Sequence, residues 1–226
     1  MIENMLNRLF AGLMWAMTFY GISLAASGGA MDWQWNFETG TADQPPAGFT
    51  FSRTGSGRQG TWIVKKDDQA PSGAYVIAQL DNDNTSYRFP LAVANEPMLS
   101  DVRVSVRCKP IAGKVDQACG LVFRYRDENN YYVARANALE DNVRFYYVSA
   151  GKRHELASWS GRVTSGSWHE LRVDTTGDLF EVFWDNQKVI ETRDKTFIEP
   201  GKIGLWTKAD SVTYFDDLIV EAKDGR

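Results

Sequence analysis

Beyond its first thirty residues the chain alternates. "VRVSV" (102–106), "LVFRYR" (121–126), "YYVARAN" (131–137), "VRFYYV" (143–148), "ELRVD" (170–174) and "LFEVFWD" (179–185) set apolar and polar residues on opposite sides with period two. That period belongs to half-buried β-strands. Turn clusters fall between them: "RDENN", "ALEDN", "SAGK", "TTGD" and "DNQK". No sustained helical spacing, internal repeat, low-complexity linker or charge block interrupts the series. The pattern predicts one all-β domain over 31–226, built from about a dozen short strands as a two-sheet antiparallel sandwich or a barrel.

The alternation also assigns faces. Leu121, Phe123 and Tyr125 share one side of their strand, opposite Val122, Arg124 and Arg126. Tyr132, Ala134 and Ala136 oppose Tyr131, Val133, Arg135 and Asn137. Val143, Phe145 and Tyr147 oppose Arg144 and Tyr146, and Ile203 and Leu205 oppose Gly204, Trp206 and Lys208. The apolar sets are expected to fill the interior, leaving Arg124, Arg126, Arg135, Asn137, Arg144, Tyr146, Trp206 and Lys208 facing outward. One hairpin takes a register from its pattern. With "TTGD" as the turn, Thr175 faces Asp178, Val173 faces Phe180, Leu171 faces Val182, and Arg172 faces Glu181 as an exposed cross-strand pair.

The start of the chain differs. Arg8 leads into the apolar run "LFAGLMWAMTFYGISLAA", closed by "SGGA", which reads as a secretory signal peptide over 1–30 with cleavage after Ala25 or Ala30. An uncleaved anchor is the alternative. Cleavage implies a secreted or periplasmic protein with no stable membrane insertion. Export gives the two cysteines a meaning, because an oxidising compartment favours disulfides. Cys108 and Cys119 flank a turn-rich loop holding Pro110 and Gly113, and two strands joined by that loop bring the thiols together at its neck. The net charge of −4 argues against nucleic acid as partner, and two histidines leave little material for a zinc site.

Three motifs carry a resemblance. "SGSWHELRVDTTGDLFEVFWDNQKV" resembles the Trp-His-x-Leu-x-Val hairpin of laminin-G-like and concanavalin A-like jelly rolls. "GKIGLWTKADSVTYFDDLIV" resembles their final strands, and "CGLVFRYRDENNYYVARAN" a strand pair of the same superfamily. The likeness covers about Phe37 to Val220 and comes nearest the exported bacterial 3-keto-disaccharide hydrolase-like domains. It implies a concanavalin A-like jelly-roll β-sandwich whose outward sheet face is a saccharide groove. Trp206 would then be a flat plate for a sugar ring, with arginine, asparagine and lysine as donors and Gly204 leaving room for the ligand.

Chemistry is less marked. The Glu-x-Asp-x-x-Glu motif of the superfamily's glucanases is absent, so the catalytic candidates are the turn carboxylates Asp127, Glu140 and Asp141. His169 belongs to the framework motif and is expected to be structural. "DNDNT" (81–85) begins like a calcium loop, lacks its later ligands and reads as a turn. Related jelly rolls tie their last strand to their first through Ca²⁺. Glu38, Asp216 and Asp217 are the hard-oxygen candidates for such a structural ion. The expectation is an exported carbohydrate-binding domain. The alternatives are a hydrolase or lyase acting on 3-keto-disaccharides, and an adhesive envelope domain with a protein partner.

Overall fold

The computed structural model describes residues 32–223. The apolar N-terminal run and both cleavage positions, after Ala25 and after Ala30, lie outside the described residues. No helix among the described residues is long and apolar enough to cross a membrane.

Fifteen strands make up the described fold: β1 (Asp32–Trp35), β2 (Phe49–Gly55), β3 (Trp62–Lys66), β4 (Tyr75–Gln79), β5 (Arg88–Ala94), β6 (Val102–Ala112), β7 (Ala118–Asp127), β8 (Asn130–Asn137), β9 (Asn142–Ser149), β10 (Lys152–Ser160), β11 (His169–Thr176), β12 (Leu179–Trp184), β13 (Gln187–Arg193), β14 (Lys202–Trp206) and β15 (Val212–Ala222). They form two antiparallel sheets. One has eight strands in the order β13-β12-β11-β6-β15-β4-β3, with β1 also paired to β15; the other has seven, in the order β10-β9-β8-β7-β14-β5-β2.

Period two is what closes the sandwich. Along β6, Val102, Val104, Val106 and Cys108 are buried while Arg103 is exposed. From the other sheet Leu121, Phe123, Tyr132, Ala134, Phe145, Ile203 and Leu205 meet them in one continuous core. Phe180 lies at its centre, 5.9 Å from Phe123, 4.8 Å from Tyr132 and 5.2 Å from Phe145, ring centroid to centroid. Contacts at these spacings add to the burial of apolar area.

The cysteines are bonded. Cys108 lies on β6 of the eight-stranded sheet and Cys119 on β7 of the seven-stranded one. The loop between them therefore crosses the sandwich instead of closing a hairpin, and the bond ties the two layers.

Two local expectations about register need correcting. The β11–β12 hairpin turns on Gly177 and Asp178 alone, with Thr176 facing Leu179, Val173 facing Val182 and Arg172 facing Phe183. This differs by two residues from the expected pairing, so every side chain keeps its face, and Leu171, Val173, Phe180 and Val182 are buried. Gly177, with a φ of 58°, accommodates the tight turn. Arg172 lies over the Phe183 ring (3.8 Å) instead of meeting Glu181, which pairs with Lys188 (3.0 Å).

The second correction is a bulge. Arg124 has a φ of 46°, and the β7–β8 register shifts between Phe123 and Asp127. A bulge breaks the alternation. Arg124 turns inward, its guanidinium 5.1 Å from the Phe180 ring, and Tyr125 turns outward against Tyr131. Gly201 permits this, because a Cβ there would lie 2.4 Å from the Arg124 carbonyl carbon.

Replacing Cys108 and Cys119 together by serine is expected to lower stability by about 2–3 kcal/mol, the loop-entropy value for a closure of this length. Urea unfolding of wild type and variant under non-reducing conditions measures it. Equal midpoints, or free thiols in a non-reduced digest of exported protein, would remove the claim.

Candidate functional site

The outward face of the seven-stranded sheet was expected to be an open groove. The strands do bring the expected residues together in rows: Trp206 pairs with Gly120, Gly120 with Arg135 and Arg135 with Arg144, and one row on Ala118 pairs with Asn137 and Asn137 with Asn142. The face is nonetheless filled. Phe89, Leu91, Val93, Val122, Tyr131, Val133, Tyr146, Val148 and Trp206 form a second apolar core, all buried. Trp206 is 0% exposed and sits 5.1 Å from Phe89. Arg135, Asn137 and Tyr146 are buried with it.

Contacts across the face explain the filling. The Tyr87 hydroxyl donates to the Gly151 carbonyl (3.0 Å) and accepts from the Arg153 amide (2.8 Å), tying the approach to β5 to the β9–β10 turn. The Arg153 guanidinium covers Phe89 at 5.1 Å and Tyr146 at 4.4 Å. Gly204 gives a ligand no room either. A Cβ there would meet the Ala92 carbonyl oxygen at 2.5 Å, so the glycine serves the close approach of β5.

At one end of this face the chemistry becomes polar. Asp116, in the β6–β7 loop, is fully buried and accepts from Lys208 Nζ and from Asn137 Nδ2 (2.7 Å). Burial pushes its carboxyl upward, opposed by the hydrogen bond and charge of Lys208. Beside it, Arg135 donates to Glu140 (2.8 Å) and to Asn142 (2.6 Å), and Arg144 donates to Glu155 (3.1 Å). Partial burial works against the charge of Glu140. Hydrogen bonds from Arg135 and Asn142, with the charges of Arg135 and Arg144, outweigh it and hold the carboxyl at about 2. The β8–β9 turn joins the β6–β7 loop through Ala138 N–H to Gln117 O (2.9 Å). Val115 and Leu139, 44% and 49% exposed, stand at the edges.

The remaining expected residues lie elsewhere. Arg124 and Arg126 belong to the opposite rim. Arg124 is spent on the carbonyls of Ser100 (3.0 Å), Phe197 (2.9 Å) and Gly177 (2.6 Å), and Arg126 lies over Phe197 (4.9 Å). An open cleft of about 500 Å³ beside them is lined by Asp101, Asp178 and Lys195. Asp127 caps its own turn by accepting from the amide of Asn129 (2.8 Å), and Asp141 accepts from the amide of Val163 (2.9 Å). His169 is structural as expected, bonded to Asp185 (2.7 Å) and stacked on Trp184. Asp81 pairs with Arg58 and Arg88, and Asp83 accepts from the Arg58 amide, so "DNDNT" is an irregular loop whose carboxylates serve protein donors, including the amides of Asp83 and Thr85.

Glu38, Asp216 and Asp217 do converge, on the loop at Ser72–Tyr75. Glu38 accepts from the amides of Ala74 (2.9 Å) and Tyr75 (2.8 Å); Asp216 from the amides of Ser72 (3.1 Å) and Asp217 (2.8 Å); Asp217 from the Ser72 hydroxyl (2.7 Å). Both oxygens of Asp216 and one each of Glu38 and Asp217 serve protein donors, and among the described residues no group of three histidine, cysteine or acidic side chains is arranged to hold a metal. As it stands the set is a hydrogen-bonded cluster. It ties β15 to the loop before β4 by hydrogen bonds.

Sequence reasoning missed Asp116, Asn142, Arg153 and Glu155. Arg153 and Glu155 alternate within "KRHE", a signal that could have placed both on one face. Asp116 lies in a loop and meets Lys208 across a separation of 92 residues, with no local trace of the pairing.

Two outcomes are expected. Trp206→Ala should destabilise the fold by about 3–5 kcal/mol, as large-to-small core changes do, read by denaturant unfolding; a loss under 1 kcal/mol would return Trp206 to the surface. Asp216 is pushed up to about 6 by burial, with hydrogen bonds from Ser72 and Asp217 working against the shift. A raised acid pKa favours the folded state at low pH and loses that contribution as pH rises toward and through 6. Between pH 5 and pH 7 wild type should therefore lose about 1 kcal/mol relative to Asp216→Asn. Parallel stability profiles for the two proteins would refute the assignment.

No protein-family model matches the chain. The levanase of Bacillus subtilis (strain 168) is 22% identical over 169 residues, which cover 72% of this chain and 22% of the levanase. The chain thus spans about a fifth of that relative's length. Among solved structures, the carbohydrate binding module CBM66 from Bacillus subtilis is 23% identical with a TM-score of 0.61, covering 77% of this chain and 96% of that one. A cellulose-induced protein is 12% identical at a TM-score of 0.58, covering 84% and 97%. A protein of unknown function from Shewanella oneidensis MR-1 is 14% identical at 0.54, covering 95% and 97%. Likeness at these identities is likeness of fold, and the fold is a two-sheet antiparallel jelly-roll β-sandwich.

Proposed function

We propose that this protein is an exported carbohydrate-binding domain that holds a saccharide at the polar end of the outward face. One observation carries the reading: two carboxylate–cation pairs, Asp116 with Lys208 and Glu140 with Arg135 and Arg144, stand side by side between exposed Val115 and Leu139. Glu140 accepts from one sugar hydroxyl while the Arg144 guanidinium or the Lys208 ammonium, the latter held from beneath by buried Asp116, donates to the next, and an apolar edge packs against C–H groups. The levanase and the carbohydrate binding module among the similar proteins support a saccharide as the ligand class. The N-terminal apolar run and the disulfide support export.

Binding is favoured over hydrolysis by the state of the carboxylates. Glu140, held at about 2, has no proton to give near neutrality. Asp116 has both oxygens engaged by Lys208 and Asn137 and is closed to solvent. A general acid for glycoside cleavage needs a proton and access to the leaving oxygen.

A glycan array of the mature domain, followed by calorimetry, tests the proposal. At least one glycan should bind without product release. Glu140→Gln should weaken that binding about tenfold in protein that remains folded, with a lowered melting temperature because buried Arg135 loses its carboxylate. Absence of any bound glycan, or a Glu140→Gln variant that binds like wild type, would overturn it.

A further inference from the structure

Three guanidiniums gather beside the proposed saccharide site, on the adjacent strands β8, β9 and β10. Arg135 and Arg144 are directly opposed cross-strand partners, an arrangement in which like charges repel. Both face Glu140, at 2.8 Å and 3.8 Å, and Arg144 also pairs with Glu155. Arg153 completes the group. Tyr146 is the common floor: its hydroxyl accepts from Arg135 (3.3 Å), and the Arg153 guanidinium lies 4.4 Å from its ring.

The group is short of acceptors. Arg153 has no carboxylate partner among the described residues, so three guanidiniums meet two carboxylates, in a chain whose net charge is −4. Nε of Arg135, Nε of Arg144 and Nη1 of Arg153 are each buried with no hydrogen-bond partner, and Arg135 as a whole is 1% exposed. A buried N–H without an acceptor costs free energy. Such donors gain most from an oxyanion, whose several lone pairs match planar guanidinium forks.

We propose that the saccharide this site takes is anionic, with a carboxylate or sulfate group seated against Arg135, Arg144 and Arg153. This rests on the reading of the neighbouring site as a saccharide site and names the ligand class within it. Arg144, a third exposed, and the partly exposed Arg153 leave the group open to solvent. The anion neutralises the uncompensated charge and accepts from the solvent-open parts of Arg144 and Arg153, above buried Arg135. The rest of the ligand reaches toward Glu140 and Lys208.

The experiment is calorimetric titration of the mature domain with an oligogalacturonate, a sulfated galactan oligosaccharide and a neutral galactan oligosaccharide. At least one anionic ligand should bind about tenfold more tightly than the neutral one at low salt, and the advantage should shrink toward 1 M salt. The two anionic arms distinguish carboxylate from sulfate. Arg153→Gln should remove the advantage of the anionic ligand over the neutral one, while Arg153→Lys, which keeps the charge, should retain part of it. If Arg153→Gln fails to fold, the salt titration of wild type and the lysine variant decide. Equal, salt-insensitive affinity for all three ligands would overturn the anionic assignment and leave the saccharide reading standing. So would binding to neutral glycans alone. Binding to no glycan at all would overturn both.

Discussion

A sheet in a two-layer sandwich usually packs one face on the core and wets the other. The seven-stranded sheet here buries both. Its inner face meets the eight-stranded sheet through Phe123, Tyr132 and Phe145, and its outer face closes on itself through Phe89, Tyr131, Tyr146 and Trp206. Each of these strands therefore carries large side chains on alternate positions in both directions. A consequence is that polar residues caught in the outer series are buried with their neighbours, and each needs a partner inside the protein.

The need for an internal partner extends to every buried arginine, Arg135 within that series and Arg88 and Arg124 outside it. Arg88, Arg124 and Arg135 are among the largest fully buried side chains. Each guanidinium is matched to fixed acceptors: Arg88 to Asp81 and the carbonyls of Arg58 and Ala209, Arg124 to three carbonyls at the rim, and Arg135 to Glu140 and Asn142. Removing one acceptor would leave a charge in a dry site, which is far worse than losing an exposed pair. Such matches fix where loops sit. Arg124 alone binds the segments at Ser100, Gly177 and Phe197, which come from three different connections of the sandwich.

The same constraint separates what is legible in the sequence from what is not. Period two identifies the strands and the inner face, because Leu121, Phe123, Tyr132, Ala134, Ile203 and Leu205 pack where alternation puts them. Alternation says which side a residue faces and nothing about what covers that side, so Trp206 and Tyr146 read as exposed when neighbouring aromatics enclose them. It also assumes an unbroken ladder. At Arg124 a single left-handed residue reverses the faces of Arg124 and Tyr125, and arginine is no local signal for it; the enabling glycine, Gly201, lies far along the chain, just before β14. The hairpin slip was invisible for a different reason, since a shift of two residues preserves every face. Of the candidate site, Arg135, Asn137, Glu140, Arg144 and Lys208 were already named from outward positions and a turn. Asp116, the acid that fixes Lys208 and Asn137, was not.

The proposed placing of recognition at the end of the filled face, rather than along it, rests on the energetics of binding. A ligand entering the trough would have to displace Trp206 from Phe89 and break the Tyr87 bridge to the β9–β10 turn before making any contact of its own. At the polar end the work has been done in folding. Asp116 and Asn137 are immobile beneath the surface, and they hold partly exposed Lys208 by a buried ion pair. Arg135, also buried, holds Glu140 in the same way. Groups anchored at the base and open at the tip lose little side-chain entropy when a ligand arrives, and this is the condition under which a shallow polar surface binds usefully. Rigidity of that kind needs a second core beneath it, so the filled face and the site at its end are parts of one arrangement.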